Sequence, residues 1–170
     1  MTAFRPGHYI LLFTCSFLIG FGLLLTPPVQ SADVAFSAQL VKISHGLIVA
    51  FGGHATRDAA ILRAEEGFAV EMRDGCNAVN VTILLWSAVL AFPASWKNKV
   101  LGLVVGSIIV QVLNIGRFIS LFYLGQYSMT WFEFAHSYLW ESLLVLDTVV
   151  IFRLWVKRAG PISVHPNAGA

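Results

Sequence analysis

The chain reads as an all-α polytopic membrane protein of about four transmembrane helices, whose outer-face loop holds an amphipathic helix and a possible small β-hairpin. Three observations predict this. Of the 170 residues, 57% are hydrophobic and only 12% charged, a balance that suits lipid as solvent better than water. Four apolar stretches are long enough to cross a hydrocarbon core, which takes about 20 helical residues. The Lys and Arg residues flanking those stretches obey one consistent parity.

The first stretch has no Asp, Glu, Lys or Arg between Pro6 and Ala32, with Tyr9 to Leu25 as its apolar heart. Arg5 ahead of it and small residues near Ser31 give it some character of a signal peptide. Its apolar run is long and Gln30 is a poor residue for a cleavage site, so an uncleaved anchor is expected. The second span is expected over Asn77 to Trp96, and the third from Val100 past Arg117 to Leu124. The fourth runs from about His136 to Val156 and tolerates Glu141 and Asp147, which read as buried structural acids or as a partner for Arg117 across the bundle; Asp147, 11 residues from His136, shares its face.

Orientation follows from basic residues near the spans. Arg5, Lys97 with Lys99, and Arg153 with Lys157 and Arg158 fall on one side only if both termini and the 97–99 loop are cytoplasmic. Residues 26–76 and 125–135 then face outward. Val34 to Phe51 is apolar enough for a fifth span, but Lys42, Ser44 and His45 lie centrally in it and a fifth crossing breaks the parity. An amphipathic helix on the outer surface is expected instead. Beyond it Phe68, Val70 and Met72 alternate with Ala69, Glu71 and Arg73, the period of a half-buried strand. Glu65-Glu66-Gly67 reads as the hairpin turn before that strand. Residues 1–158 are therefore expected to form one membrane-embedded domain, and 159–170 a disordered cytoplasmic tail.

A net charge of +2 excludes a nucleic-acid footprint. Cys15 and Cys76 form neither a CxxC nor a metal-ligand spacing, so no metal or cofactor is expected. Cys15 reads as a small packing residue. Candidate chemistry instead comes from matched depth. Cys76 lies 17 residues from Pro93, Arg117 lies 18 from Lys99, and His136 lies 17 from Arg153. At 1.5 Å per residue each is roughly 26 Å from its cytoplasmic flank, near the outer boundary of the hydrocarbon. Ser107, Gln111, Asn114 and Arg117 recur at helical spacing as a polar stripe that should turn inward and find partners there.

A thiol beside a cation, at the opening of a helix, is biased toward thiolate. His136 suits the role of general base and then acid, and the fixed charge and donors of Arg117 suit an oxyanion. Asn114, one turn deeper, is placed to orient Arg117, and Glu133 to orient the imidazole of His136. Each residue also has a plainer reading. Cys76 can be a packing residue, Arg117 can snorkel to headgroups, and His136 can belong to an interfacial belt with Tyr138 and Trp140. On that reading the chain is a non-catalytic polytopic membrane subunit or scaffold.

Arg73-Asp74-Gly75-Cys76-Asn77 opening a span, Asn114-Ile115-Gly116-Arg117 in the next, and His136 beginning the last resemble the exosortase/archaeosortase family, and most of all exosortase H. The likeness covers about residues 40–158. It implies a multi-pass cysteine peptidase or transpeptidase of the bacterial inner membrane, its site facing the periplasm. Its partners would be exported envelope proteins bearing a C-terminal sorting tail made of a short motif, a transmembrane helix and a basic end. Cys76 would be the nucleophile, Arg117 the transition-state stabiliser and His136 the base or acid. The sequence departs from the family pattern at Ala78, where many members carry glycine two residues after the cysteine; this bears on the turn around Cys76.

Overall fold

The computed structural model describes residues 6–73 and 75–160. It is mostly helical, with one small sheet. Helix α1 covers Pro6–Leu24 and α2 covers Pro27–Ala50; strands β1 (Thr56–Asp58), β2 (Ile61–Arg63) and β3 (Ala69–Glu71) follow. Then come α3 (Val79–Ala91), α4 (Trp96–Tyr127), α5 (Met129–Phe134), a π-helical turn at Ala135–Leu139, and α6 (Trp140–Ala159). Gly7–Leu24 and Trp96–Tyr127 are long and apolar enough to cross a membrane.

Local sequence explains the boundaries. Pro27 and Pro28 occupy the first positions of α2, where a missing N–H costs nothing. Ser95 caps α4, its hydroxyl accepting from the Asn98 amide at 3.5 Å. Helix α3 stops because Phe92, held extended, precedes Pro93. The second apolar run is thus not the 20-residue span expected over Asn77 to Trp96. Only 13 residues of it are helical, about 20 Å, and its last residue, Trp96, already begins α4. The third run exceeds expectation: α4 is one helix of 32 residues, about 48 Å long.

The expected amphipathic helix is present as α2, which begins seven residues before Val34, at Pro27. It buries Ser37, Leu40, Val41, Ser44 and Ile48, one face at helical spacing. The hairpin is present too. Antiparallel β2 and β3 pair Leu62 with Val70, and the Ala64 amide donates to the Phe68 carbonyl at 2.8 Å across the Glu65–Gly67 turn. Val70 and Met72 point inward while Ala69, Glu71 and Arg73 are exposed, as the alternation requires. Strand β1, paired with β2 through Arg57 and Leu62, is an addition to the hairpin. The tail expected over 159–170 lies outside the described residues from position 161 on.

Two cores form. One joins Leu40, Val41 and Ile48 of α2, Leu62 and Val70 of the sheet, and Phe118 and Phe122 of outer α4. The other joins Leu85 and Val89 of α3, Val110 of inner α4 and Leu144 of α6. In the second, Gly102 and Gly106 let α4 lie directly against Trp155 and Leu85. Trp155 donates to the Asn98 carbonyl at 2.9 Å and Asn98 donates to the Ala159 carbonyl at 3.1 Å, so the start of α4 and the end of α6 share one end of the bundle. Lys97, Lys99, Lys157 and Arg158 collect there, opposite Cys76 and Arg117.

Candidate active site

Cys76 sits in a tight turn between β3 and α3. Its amide donates to the Arg73 carbonyl at 2.9 Å, and Gly75 supplies a φ of 86°. Contrary to expectation, Cys76 does not open the helix: α3 starts three residues later, at Val79. Between them Ala78 adopts φ 59° while 1% exposed. That is left-handed backbone, which costs an L-residue roughly 1–2 kcal/mol. A glycine there, as the resemblance leads one to expect, would carry no such penalty.

Asn77 holds this turn in place. Its side chain is buried; Nδ2 donates to Asp33 Oδ1 at 2.7 Å and to Ser37 Oγ at 3.0 Å, and Oδ1 accepts from the Val79 amide at 3.1 Å. One residue thereby pins the cysteine turn to α2 and satisfies an orphan amide of α3. Cys76 itself is half-buried and packs against the outer core.

Arg117 projects from α4 and is 3% exposed. Its Nη2 lies 3.5 Å from His136 Nδ1. A guanidinium can only donate, so Nδ1 is the accepting nitrogen and the neutral ring carries its proton on Nε2. His136, in the π-helical turn, stacks on Phe132 with centroids 5.7 Å apart and planes 13° from parallel. Phe132 meets Phe68 edge-on, and Phe68 meets Phe122 at a tilt. Cys76 and Glu141 are both close enough to act electrostatically on Arg117, and Arg117 and Glu141 on His136. Of the three residues singled out from depth, Arg117 and His136 are in contact, and Cys76 lies within electrostatic range of Arg117 without, among the described residues, a hydrogen bond to either.

A groove of about 610 Å³ runs along this site between α3 and α6. Gly75, Asn80, Arg117, Glu141 and Ser142 supply its polar part, and Val81, Leu144 and Val145 its apolar wall.

The two supporting residues behave differently. Asn114 is fully buried, as the stripe predicts, yet among the described residues neither its amide nitrogen nor its amide oxygen has a hydrogen-bond partner, so it does not brace Arg117. Gln111 Oε1 is likewise unpaired, and the stripe is not the self-satisfying network expected. Among the described residues the stripe's partners on other helical segments are Trp86, whose Nε1 donates to Ser107 at 2.8 Å, and His136, which meets Arg117. Glu133 is exposed on α5 and, among the described residues, makes no hydrogen bond to His136. Sequence reasoning missed the Asn77–Asp33–Ser37 cluster, for which the asparagine directly after the cysteine was a visible signal. For Glu141 it left two readings, a buried structural acid or a partner for Arg117 across the bundle; the side chain is in fact exposed.

No protein-family model, no curated protein and no solved structure matches this chain.

Proposed function

We propose that the chain is a multi-pass membrane cysteine peptidase or transpeptidase, exosortase-like, that cleaves the C-terminal sorting tail of exported envelope proteins through a thioester on Cys76. The observation that carries this reading is the Arg117–His136 contact at 3.5 Å with the Cys76 thiol within electrostatic reach of the same guanidinium. Three separate chain segments converge on it at the end of the bundle away from the lysines.

On this reading α1, α3, α4 and α6 are four spans, with Lys97, Lys99, Lys157 and Arg158 at the cytoplasmic end of an inner membrane. A helix of about 48 Å outruns a hydrocarbon core of about 30 Å. The excess of α4 carries α2 and the sheet as a cap on the periplasmic side. The groove beside Arg117, apolar on one wall, suits a substrate helix lying against α3 and α6 with its cleavage site at the cap.

Cys76 Sγ attacks the scissile carbonyl carbon, and the C=O electron pair moves onto oxygen, where the Arg117 donors hold it. The thiol proton goes to Nδ1 of His136. Arg117 covers that nitrogen at rest and uncovers it as its guanidinium turns to the oxyanion. Collapse expels the amine, which takes the proton back from His136 and leaves a thioester. Water or an acceptor amine then attacks the thioester and frees Cys76.

The test is a membrane expressing the full chain with an exported protein that ends in a motif, a transmembrane helix and basic residues. Cys76→Ala should insert normally and leave the tail uncut, while the parent shortens it. Equal shortening by both would end the proposal.

A further inference from the structure

Arg117 has no carboxylate within salt-bridge distance among the described residues; the ion pairs there are His54–Glu65 and Arg73–Glu71, both exposed. Its one hydrogen-bond contact is the long approach to His136. A guanidinium so enclosed is costly to hold without an anion nearby. Among the described residues, the charged or titratable side chains acting on the Arg117–His136 pair are Cys76, from the turn before α3, and Glu141 of α6. Asp147, at the spacing expected to share the face of His136, does not act on it, and neither does Glu133 of α5; Glu133 and Glu141 are both exposed, so proximity to the pair and not burial separates them.

Glu141 reaches the pair because of the π-helical turn. In unbroken α-helix a residue five positions on stands about 140° around the axis. A single π-turn absorbs one residue, so positions 136 and 141 come within about 40° of one another. The same extra residue swings Asp147 away by about 100°. Glu141 then lines the groove together with Arg117.

We infer that Glu141 is the positioning carboxylate of the Arg117–His136 pair, turned onto their face by the π-helical turn at Ala135–Leu139, in the role the sequence suggested for Glu133. It balances the buried guanidinium and supports the imidazolium that forms when His136 takes the Cys76 proton. The inference deepens the peptidase reading and rests on it for its catalytic meaning, but the pairing itself is measurable without a substrate.

The experiment follows the His136 imidazole by nuclear magnetic resonance through a pH titration of the full chain in lipid nanodiscs, with His136→Gln assigning its signal. A carboxylate beside an imidazole favours the protonated ring, so Glu141→Gln should lower the His136 midpoint by about 0.5 unit or more. Glu133→Gln and Asp147→Asn should move it by less than about 0.2 unit. Glu141→Asp keeps the charge on a shorter stem and should shift the midpoint the same way by less, which serves if the amide variant does not accumulate. An unmoved midpoint in the Glu141 variants, or an equal fall in Glu133→Gln, overturns the assignment. Neither result touches the Cys76→Ala test, so the two proposals fail separately.

Discussion

On the topology proposed above, with one half of α4 in lipid and the other in water, the two cores solve opposite problems on one helix. The inner half of α4 closes on its neighbours by subtraction, with Gly102 and Gly106 bringing its backbone against Trp155 and Leu85. The C-terminal half closes by addition: Phe118 and Phe122 pack into one cluster with α2 and the sheet. In hydrocarbon an apolar ring gains little by hiding from lipid, so close backbone approach is what holds helices together. In water the same ring gains by burial, and large side chains dominate. The change of style falls between Val110 and Phe118, and Arg117 sits in that interval. A site placed on this seam has apolar groove on one side and a hydrogen-bonded turn on the other.

The sharpest way to break the comparison is Phe122→Ala. It should cost about 3–5 kcal/mol, as large-to-small changes in a packed core do. Hydrogen exchange should locate the loss in α2 and the sheet, with α3 and inner α4 still protected; uniform loss would mean the cores are one unit. Arg117→Lys tests the seam itself. A point ammonium cannot reproduce the guanidinium fork, so tail cleavage should fall about a hundredfold, close to 3 kcal/mol of barrier, with insertion unchanged. Undiminished cleavage would remove Arg117 from the chemistry.

Gly125→Ala should cost about 1–3 kcal/mol, because a Cβ there runs into the Phe68 ring. Limited proteolysis of the hairpin reads the effect. Gly102→Ala meets Trp155 in the other core and should leave the hairpin resistant while loosening the α4–α6 contact. The smallest effect should come from Ala78→Gly, which relieves left-handed strain and raises thermal stability by about 1 kcal/mol. A loss of stability would show that the buried methyl contributes more than the backbone strain costs.

How much of this was legible depended on the range of the physics. The strand at Ala69–Glu71 followed from residue-by-residue alternation, and α2 from an apolar run whose central Lys42, Ser44 and His45 and whose effect on charge parity argued against a crossing. Arg117 meeting His136 followed from counting helical rise, a rule that holds over 18 residues. Strand β1 did not announce itself, since Thr56, Arg57 and Asp58 are all exposed and carry no alternation. The short α3 was hidden because Ala78 gives no sign in sequence that its backbone turns left-handed, although Pro93 did signal the far end. The expected roles of Asn114 and Glu133 assumed regular helix and mutual satisfaction. Asn114 has no partner, and the helix beyond Glu133 is interrupted by a π-helical turn, which rearranges who faces whom without altering composition at all.

The chain of rings from Phe122 through Phe68 to Phe132 ends flat against an imidazole. That imidazole is consequently bedded by residues far from it in sequence, among them one at the rim of the hairpin. A push on the hairpin tip tilts its bed. The orientation of that ring is therefore set as much by contacts on the hairpin as by the helix that carries it.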